Sequence, residues 1–294
     1  MRRAPEIERL PALLVVCALA VASVIIAGLG VTPTRVSAQE QFGAARDPGE
    51  SAFIAAHRGG ADSAPENTLA AVEAALARGF DYVEVDLALT ADGHAVLMHD
   101  ATVDRTTDGS GPLADLTLEQ VRALDAGSWY GPQWQDTRVP TAEEFFVVLS
   151  ARGGRAILDI KGEWAEEAVA ALMGQVRAAD LEHRVVVASF DARTIAAVGL
   201  HAPGVTRLMT LRRLPDDVVL AAQQFGARGV IVSRSALAQR PAVVDELHAA
   251  GLRVIVYTLN SDRHWDLVTG LGVDGIVTDD PGLLHVWQTA TASG

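Results

Sequence analysis

Cysteine is almost missing from this chain of 294 residues: the single thiol, Cys17, lies in an apolar run near the N-terminus. The rest of the chain therefore offers no disulfide, no zinc-thiolate site and no cysteine nucleophile. Positive charge is scarce as well. Lys and Arg number 24 against 37 Asp and Glu, a formal net charge of −13. Such a chain has nothing to neutralise a row of nucleic-acid phosphates, although a small phosphate remains within reach of a metal or a few placed cations. No GxGxxG or Walker pattern follows any β-like run, which argues against a nucleotide-binding, doubly wound sheet. Disorder is excluded too, because 49% of the residues are hydrophobic and only 21% charged, enough for a large core.

The long uncharged stretch is N-terminal. Arg2, Arg3 and Arg9 precede a run from Leu13 to about Val31, and Val36-Ser37-Ala38 supplies small residues after it. That order is the layout of a secretory signal. The run is also about long enough to cross a bilayer as a retained anchor, facing outward by the distribution of basic residues. Residues 1–38 are thus expected to be a signal peptide or a membrane anchor through residues 13–31, and either places the remainder outside the cytoplasm. Residues 39–50 read as a linker. Residues 51–294 have the length of one α/β barrel.

From Ser51 onward, short β-branched runs alternate with amphipathic segments. The runs are Phe53–Ala56, Tyr82–Leu89, Ala156–Ile160, Val185–Ser189, Val205–Leu211, Gly229–Val232, Arg253–Leu259 and Gly275–Thr278. Helical patterns lie between them at Asn67–Arg78, Glu163–Ala179, Ala192–Leu200, Pro215–Phe225, Pro241–Ala250 and Arg263–Leu271. Eight strands apolar on both faces, each followed by a helix, predict an α/β fold of the closed (β/α)8 TIM-barrel type. The alternation breaks between Ala91 and Pro140. There Ala91-Asp92-Gly93 turns the chain back into Ala95–Met98 as a hairpin, and a loop rich in Gly and Asp carries Trp129, Tyr130 and Trp134 around a short helix near Leu116–Leu124. An insertion after the second barrel strand lies on the catalytic face.

Polar residues collect at the C-terminal strand ends: His57-Arg58-Gly59 after the first, Glu84 and Asp86 within the second, His99-Asp100 behind the hairpin, and Asp159 and Lys161 at the third. Alternation puts Glu84 and Asp86 on one face, and likewise Asp159 with Lys161. Carboxylates converging in a barrel mouth repel unless a cation neutralises them, and oxygen ligands suit calcium or magnesium rather than zinc. Arg58 and Lys161 add charge for phosphate oxygens. His57 and His99 can move protons near neutral pH, one taking a proton from the attacking hydroxyl and the other giving one to the departing alkoxide. Blander readings stand beside these. A lone His is usually a satisfied core residue, Asp159 can pair with Lys161 or Arg58, Asn67 can be the N-cap of the first helix with Glu66 beside it, and the loop aromatics can simply pack together.

The runs His57-Arg58-Gly59, Pro65-Glu66-Asn67-Thr68, Glu84-Val85-Asp86, His99-Asp100, Thr102-Val103-Asp104-Arg105-Thr106-Thr107, Pro140-Thr141-Ala142-Glu143-Glu144, Ser189-Phe190 and Gly272–Asp279 resemble the glycerophosphodiester phosphodiesterase family. The resemblance spans roughly residues 53–287. It implies hydrolysis of a small-molecule glycerophosphodiester to sn-glycerol 3-phosphate and an alcohol, with His57 as general base and His99 as general acid. It also implies Glu84, Asp86 and Asp159 on one divalent cation, and Arg58, Lys161 and Glu84 on the phosphate. Two positions depart from the usual pattern. Asp159 stands where hydrolase members usually carry Glu, which is similar to a spider-venom phospholipase D branch, and Tyr257-Thr258-Leu259-Asn260 stands where Trp-Thr-Val-Asn is usual. A phospholipase D-like enzyme acting on lysolipids or sphingolipids is the alternative.

Overall fold

The computed structural model describes residues 36–292. The expectations for residues 1–35, and Cys17 with them, lie outside the described residues.

Eight parallel strands close on themselves: β1 (Phe53–Ala56), β2 (Tyr82–Leu89), β4 (Ala156–Ile160), β5 (Val185–Ser189), β6 (Thr206–Leu211), β7 (Gly229–Ser233), β8 (Arg253–Tyr257) and β9 (Gly275–Thr278). Closure is made by β1, which pairs with β2 on one side and β9 on the other. The ninth strand, β3 (Ala95–Leu97), runs antiparallel to the end of β2 as the expected hairpin. The barrel is therefore the predicted one, with its insertion after the second barrel strand.

Strands covered on both faces need apolar residues at every position, and the two sets divide by alternation. Val83, Val85 and Leu87 of β2 face outward and pack with Val72, Phe145 and Leu149 of the surrounding helices. Tyr82 points inward with Phe53, Ala55, Ile157, Val186, Leu208, Ile231, Ile255 and Val277, filling the barrel interior. The inward set of β2 continues through Glu84 and Asp86, so the same period that builds the core delivers carboxylates to its upper layer.

Helices Arg234–Gln239 and Pro281–Ala292 lie outside the expected helical patterns, and three further differences bear on the core and the site. Helix Ala142–Arg152 was not anticipated; a capping box between Thr141 and Glu144 starts it. The helix after β1 is Leu69–Arg78, two residues later than expected, and its N-cap is Thr68, whose hydroxyl accepts from the Ala71 amide. Asn67 is not the cap.

The third difference is the supposed linker, residues 39–50. Helix Ala38–Phe42 is capped by Ser37 and Glu40 and buries Ala38, Gln41 and Phe42. The Phe42 ring stacks on Phe53 with centroids 5.7 Å apart, and the Tyr82 hydroxyl donates to the Gln41 carbonyl at 2.8 Å. Arg155 donates to the same carbonyl at 2.9 Å, and Arg253 to that of Gly43 at 2.7 Å. The segment plugs the N-terminal end of the barrel. Five residues are too few to show a helical period, and its packing rests on one aromatic among polar neighbours.

Candidate active site

The chain leaves β1 through a 3-10 turn, His57–Gly59, in which Arg58 takes a left-handed backbone conformation (φ 53). Gly59 (φ 89) is needed there, because a Cβ would stand 2.7 Å from that of Ala71. The turn aims two groups at once. The Arg58 amide donates to Glu84 Oε2 at 2.9 Å, and the His57 ring is turned toward the mouth.

Register brings Asp86 of β2 directly opposite Asp159 of β4. One oxygen from each of Glu84, Asp86 and Asp159 lies within 4.8 Å of the others, and all three residues are buried. Asn67, also left-handed (φ 55), clamps Asp86 from both sides: its amide donates to Oδ2 at 2.8 Å and its carbonyl oxygen accepts from the Asp86 backbone at 3.0 Å. Lys161, the only lysine of the chain, places Nζ 2.8 Å from Asp86 Oδ1 and forms an ion pair with Asp159. Asp159 thus does make the pairing that competed with the ligand reading, while its Oδ1 is buried without a hydrogen-bond partner. Arg58 pairs with Glu66 at 2.6 Å and with Asp86 at 3.1 Å. Arg105 bonds both oxygens of Glu66 at 2.8 Å and reaches Asp100 at 2.6 Å. Asp100 in turn contacts His99 Nδ1 at 2.6 Å.

Burial, reinforced by Asp86, pushes the Glu84 carboxyl up to about 7. Burial likewise raises Asp159, to about 6. At Asp86 burial acts in the same direction, but Lys161 and Arg58 outweigh it and hold that group at about 2. A buried triad in which two members resist ionisation, with an unpartnered oxygen on the third strand and oxygen donors throughout, fits a hard divalent cation.

The two imidazoles shift in opposite senses. Burial lowers the His57 value, but its hydrogen bond to Asp279, followed by the charge of Glu84, reverses it and leaves His57 raised. Burial also dominates at His99, and there it prevails: the group is lowered despite Asp86 and Asp100. Asp279 closes the run Gly272–Asp279 and Asn260 the run Tyr257–Asn260, but the sequence assigns neither a role at the site; Asn260 donates to Asp279 Oδ2 at 2.6 Å. Both were visible as polar residues just past strand ends, and β9 neighbours β1 in any closed barrel of this order.

His57, Arg58, Glu84, His99, Asp159 and Lys161 all line one cavity of about 290 Å³, joined on its far side by Phe190, Arg212 and Tyr257. Every residue predicted for the site except Asp86 borders this space, and Asp86 lies directly beneath it, wholly buried. The loop aromatics do not border it. Trp129 and Tyr130 meet edge to face, as do Tyr130 and Trp134, and the Tyr130 hydroxyl donates to the Asp62 carbonyl at 2.7 Å. They pack the insertion.

The sequence model of the glycerophosphoryl diester phosphodiesterase family matches residues 57–283. A glycerophosphodiester phosphodiesterase of Caldanaerobacter subterraneus subsp. tengcongensis is 31% identical over 241 residues, covering 79% of this chain and 96% of that one. Among solved structures, an Oleispira antarctica phosphodiesterase in complex with the product sn-glycerol-3-phosphate superposes with a TM-score of 0.73 at 27% identity, over 80% of this chain and 96% of the other. The Agrobacterium tumefaciens glycerophosphodiester phosphodiesterase gives 0.70 at 29% identity, over 80% and 100%. With the matched region reaching from the His57 turn past Asp279, the chain belongs to the glycerophosphoryl diester phosphodiesterase family and is a phosphoric diester hydrolase.

Proposed function

We propose that this enzyme hydrolyses glycerophosphodiesters to sn-glycerol 3-phosphate and an alcohol, using one divalent cation, calcium or magnesium, and two histidines. The observation that carries the reading is the single cavity bordered by both imidazoles and roofing the buried carboxylate triad. The Oleispira relative, with sn-glycerol-3-phosphate bound as its product, supports the substrate class. A cation held by Glu84, Asp86 and Asp159 would neutralise the phosphate and polarise its oxygens.

The protein's own groups divide the proton work. Nδ1 of His57 is taken by Asp279 and Nδ1 of His99 by Asp100, so Nε2 of each ring is the atom free to face substrate. His57, whose proton affinity Asp279 raises, is the ring better suited to hold a proton and give it to the leaving alkoxide. His99, lowered, is the neutral base for the attacking hydroxyl, whether that belongs to the glycerol 2-position or to water. This reverses the roles implied by the family resemblance. The largest raising influence on His57 is Asp279, followed by Glu84, and the dominant influence on His99 is burial. Arg58 and Lys161 border the same space and are placed to hold the remaining phosphate oxygens. The order of basic, apolar and small residues in 1–38 supports a site of action outside the cytoplasm.

The test is to incubate the full chain with glycerophosphocholine, glycerophosphoinositol, a lysolipid and sphingomyelin, with calcium, magnesium or chelator, and follow products by phosphorus NMR. Glycerol 3-phosphate release that stops with chelator, and is lost in both His57→Ala and His99→Ala, is expected. Cleavage of the lipids alone would favour the phospholipase D-like alternative, and unchanged activity in His57→Ala would overturn the mechanism.

A further inference from the structure

The cations at the barrel mouth are not equivalent. Arg58 is committed to Glu66 and Asp86, Lys161 to Asp86 and Asp159, and Arg105 to Glu66 and Asp100. Arg212, just past the end of β6, lines the same cavity, and among the described residues its guanidinium makes no ion pair with any carboxylate. The acids that share the outer groove with it are committed elsewhere: Asp100 to Arg105 at 2.6 Å, and Glu163 and Asp191 to Arg193 at 2.9 and 3.2 Å. The guanidinium lies instead over the Phe190 ring, 4.8 Å from the centroid. Phe190 meets Tyr257 edge-on with centroids 6.4 Å apart.

An aromatic pair lining a cavity, here an exposed Phe190 against a half-buried Tyr257, is a surface that attracts a quaternary ammonium group. Here the Phe190 face is already taken by a cation, and a second cation placed beside it is repelled. An anionic group meets a guanidinium that no carboxylate is paired with, of a geometry suited to bidentate contact. Building on the phosphodiesterase reading above, we infer that Arg212 is a specificity-determining residue. It selects glycerophosphodiesters whose alcohol bears a second anionic group, such as a phosphate, over those whose alcohol is a quaternary ammonium.

Three substrates isolate the charge: glycerophosphoinositol 4-phosphate, glycerophosphoinositol and glycerophosphocholine, assayed with the wild-type chain, Arg212→Gln and Arg212→Lys. Wild type is expected to prefer them in that order in kcat/KM, mainly through KM. Arg212→Gln shrinks the ratio of the first to the last by roughly two- to fivefold, the scale of a solvent-screened charge contact, and Arg212→Lys keeps most of it. Raising salt from about 0.02 to about 0.5 M compresses the wild-type ratio and leaves that of Arg212→Gln nearly flat. A wild-type preference for the choline ester, or a ratio unmoved in Arg212→Gln, overturns the inference and leaves the phosphodiesterase reading intact. Cleavage of none of the three overturns both.

Discussion

Nδ1 of His57 lies 2.5 Å from Oδ1 of Asp279, a contact between residues 222 positions apart that exists because β1 and β9 are neighbours in the closed barrel. The carboxylate is itself fixed by Asn260, so ring orientation, tautomer and proton affinity of His57 are set together. Asp279→Asn keeps the shape but removes the charge. We expect kcat to fall by about 10²-fold or more, the range of one general acid–base contribution, with KM little changed. The sign of the pH effect follows from the raised value of His57. Activity that needs the imidazolium is lost as pH rises through that value. Losing Asp279 lowers it, so the alkaline limb of the kcat profile moves to lower pH. An alkaline limb unmoved in Asp279→Asn would remove His57 from the role of acid.

The triad predicts how stability depends on pH and metal. Glu84 and Asp159 are raised in the folded state, so their contribution is fully present below their unfolded values and is lost as pH rises through about 7 and about 6 respectively. Asp86, lowered by Lys161 and Arg58, acts in the opposite sense: its contribution is present above its unfolded value and is lost only in acid. Chelated protein should therefore lose thermal stability between about pH 5 and 8. A cation at about a hundred times its Kd should return about 2.7 kcal/mol, a rise in Tm on the order of 5–10 °C for a domain of this size. Calorimetry with chelator, calcium and magnesium reads this directly. The metal-dependent rise should vanish in Asp159→Asn, and a rise that persists there would place the ion elsewhere.

What was legible in the sequence was whatever the barrel writes locally. The strands are continuous β-branched runs because they are covered on both faces, and their spans matched to within a residue or two; only the run begun at Arg253 stopped short, at Tyr257 rather than Leu259. Glu84, Asp86, Asp159 and Lys161 were legible because alternation along a strand fixes their direction. Contacts that depend on closure were hidden. Nothing near Asp279 says that it faces His57, and nothing near Asn67 says that its amide bridges 19 residues to Asp86 instead of capping the next helix. Helix Ala142–Arg152 carried its capping box in plain view, but it follows the insertion, where the βα alternation had already been interrupted.

The reassignment of Asn67 separates two neighbouring side chains experimentally. Thr68→Ala removes an N-cap and should cost about 1 kcal/mol of stability, with metal affinity unchanged. Asn67→Ala removes both hydrogen bonds to Asp86 and puts Ala in a left-handed conformation that disfavours it. A partner that orients a metal ligand typically governs affinity by about 10- to 100-fold, so calcium or magnesium titration should weaken by that factor in Asn67→Ala. Equal metal affinity in the two variants would return Asn67 to a purely structural role.

The plug at the other end of the barrel should behave in the opposite way. Phe42 is buried against Phe53 and Tyr82, at the N-terminal ends of β1 and β2, whereas His57 and Asp86 lie at the C-terminal ends of the same strands. Phe42→Ala opens a cavity at the base of the core and should destabilise by about 3–5 kcal/mol, read as a lower denaturant midpoint. Because the strands between plug and mouth are held by neighbours on both sides, kcat/KM at a temperature where the variant stays folded should remain within about twofold of wild type, as expected for sites too far apart to couple. A plain linker would show neither effect, so an unchanged midpoint in Phe42→Ala would restore the linker reading, and a large loss of kcat/KM in the folded variant would mean that the plug also shapes the catalytic layer above it.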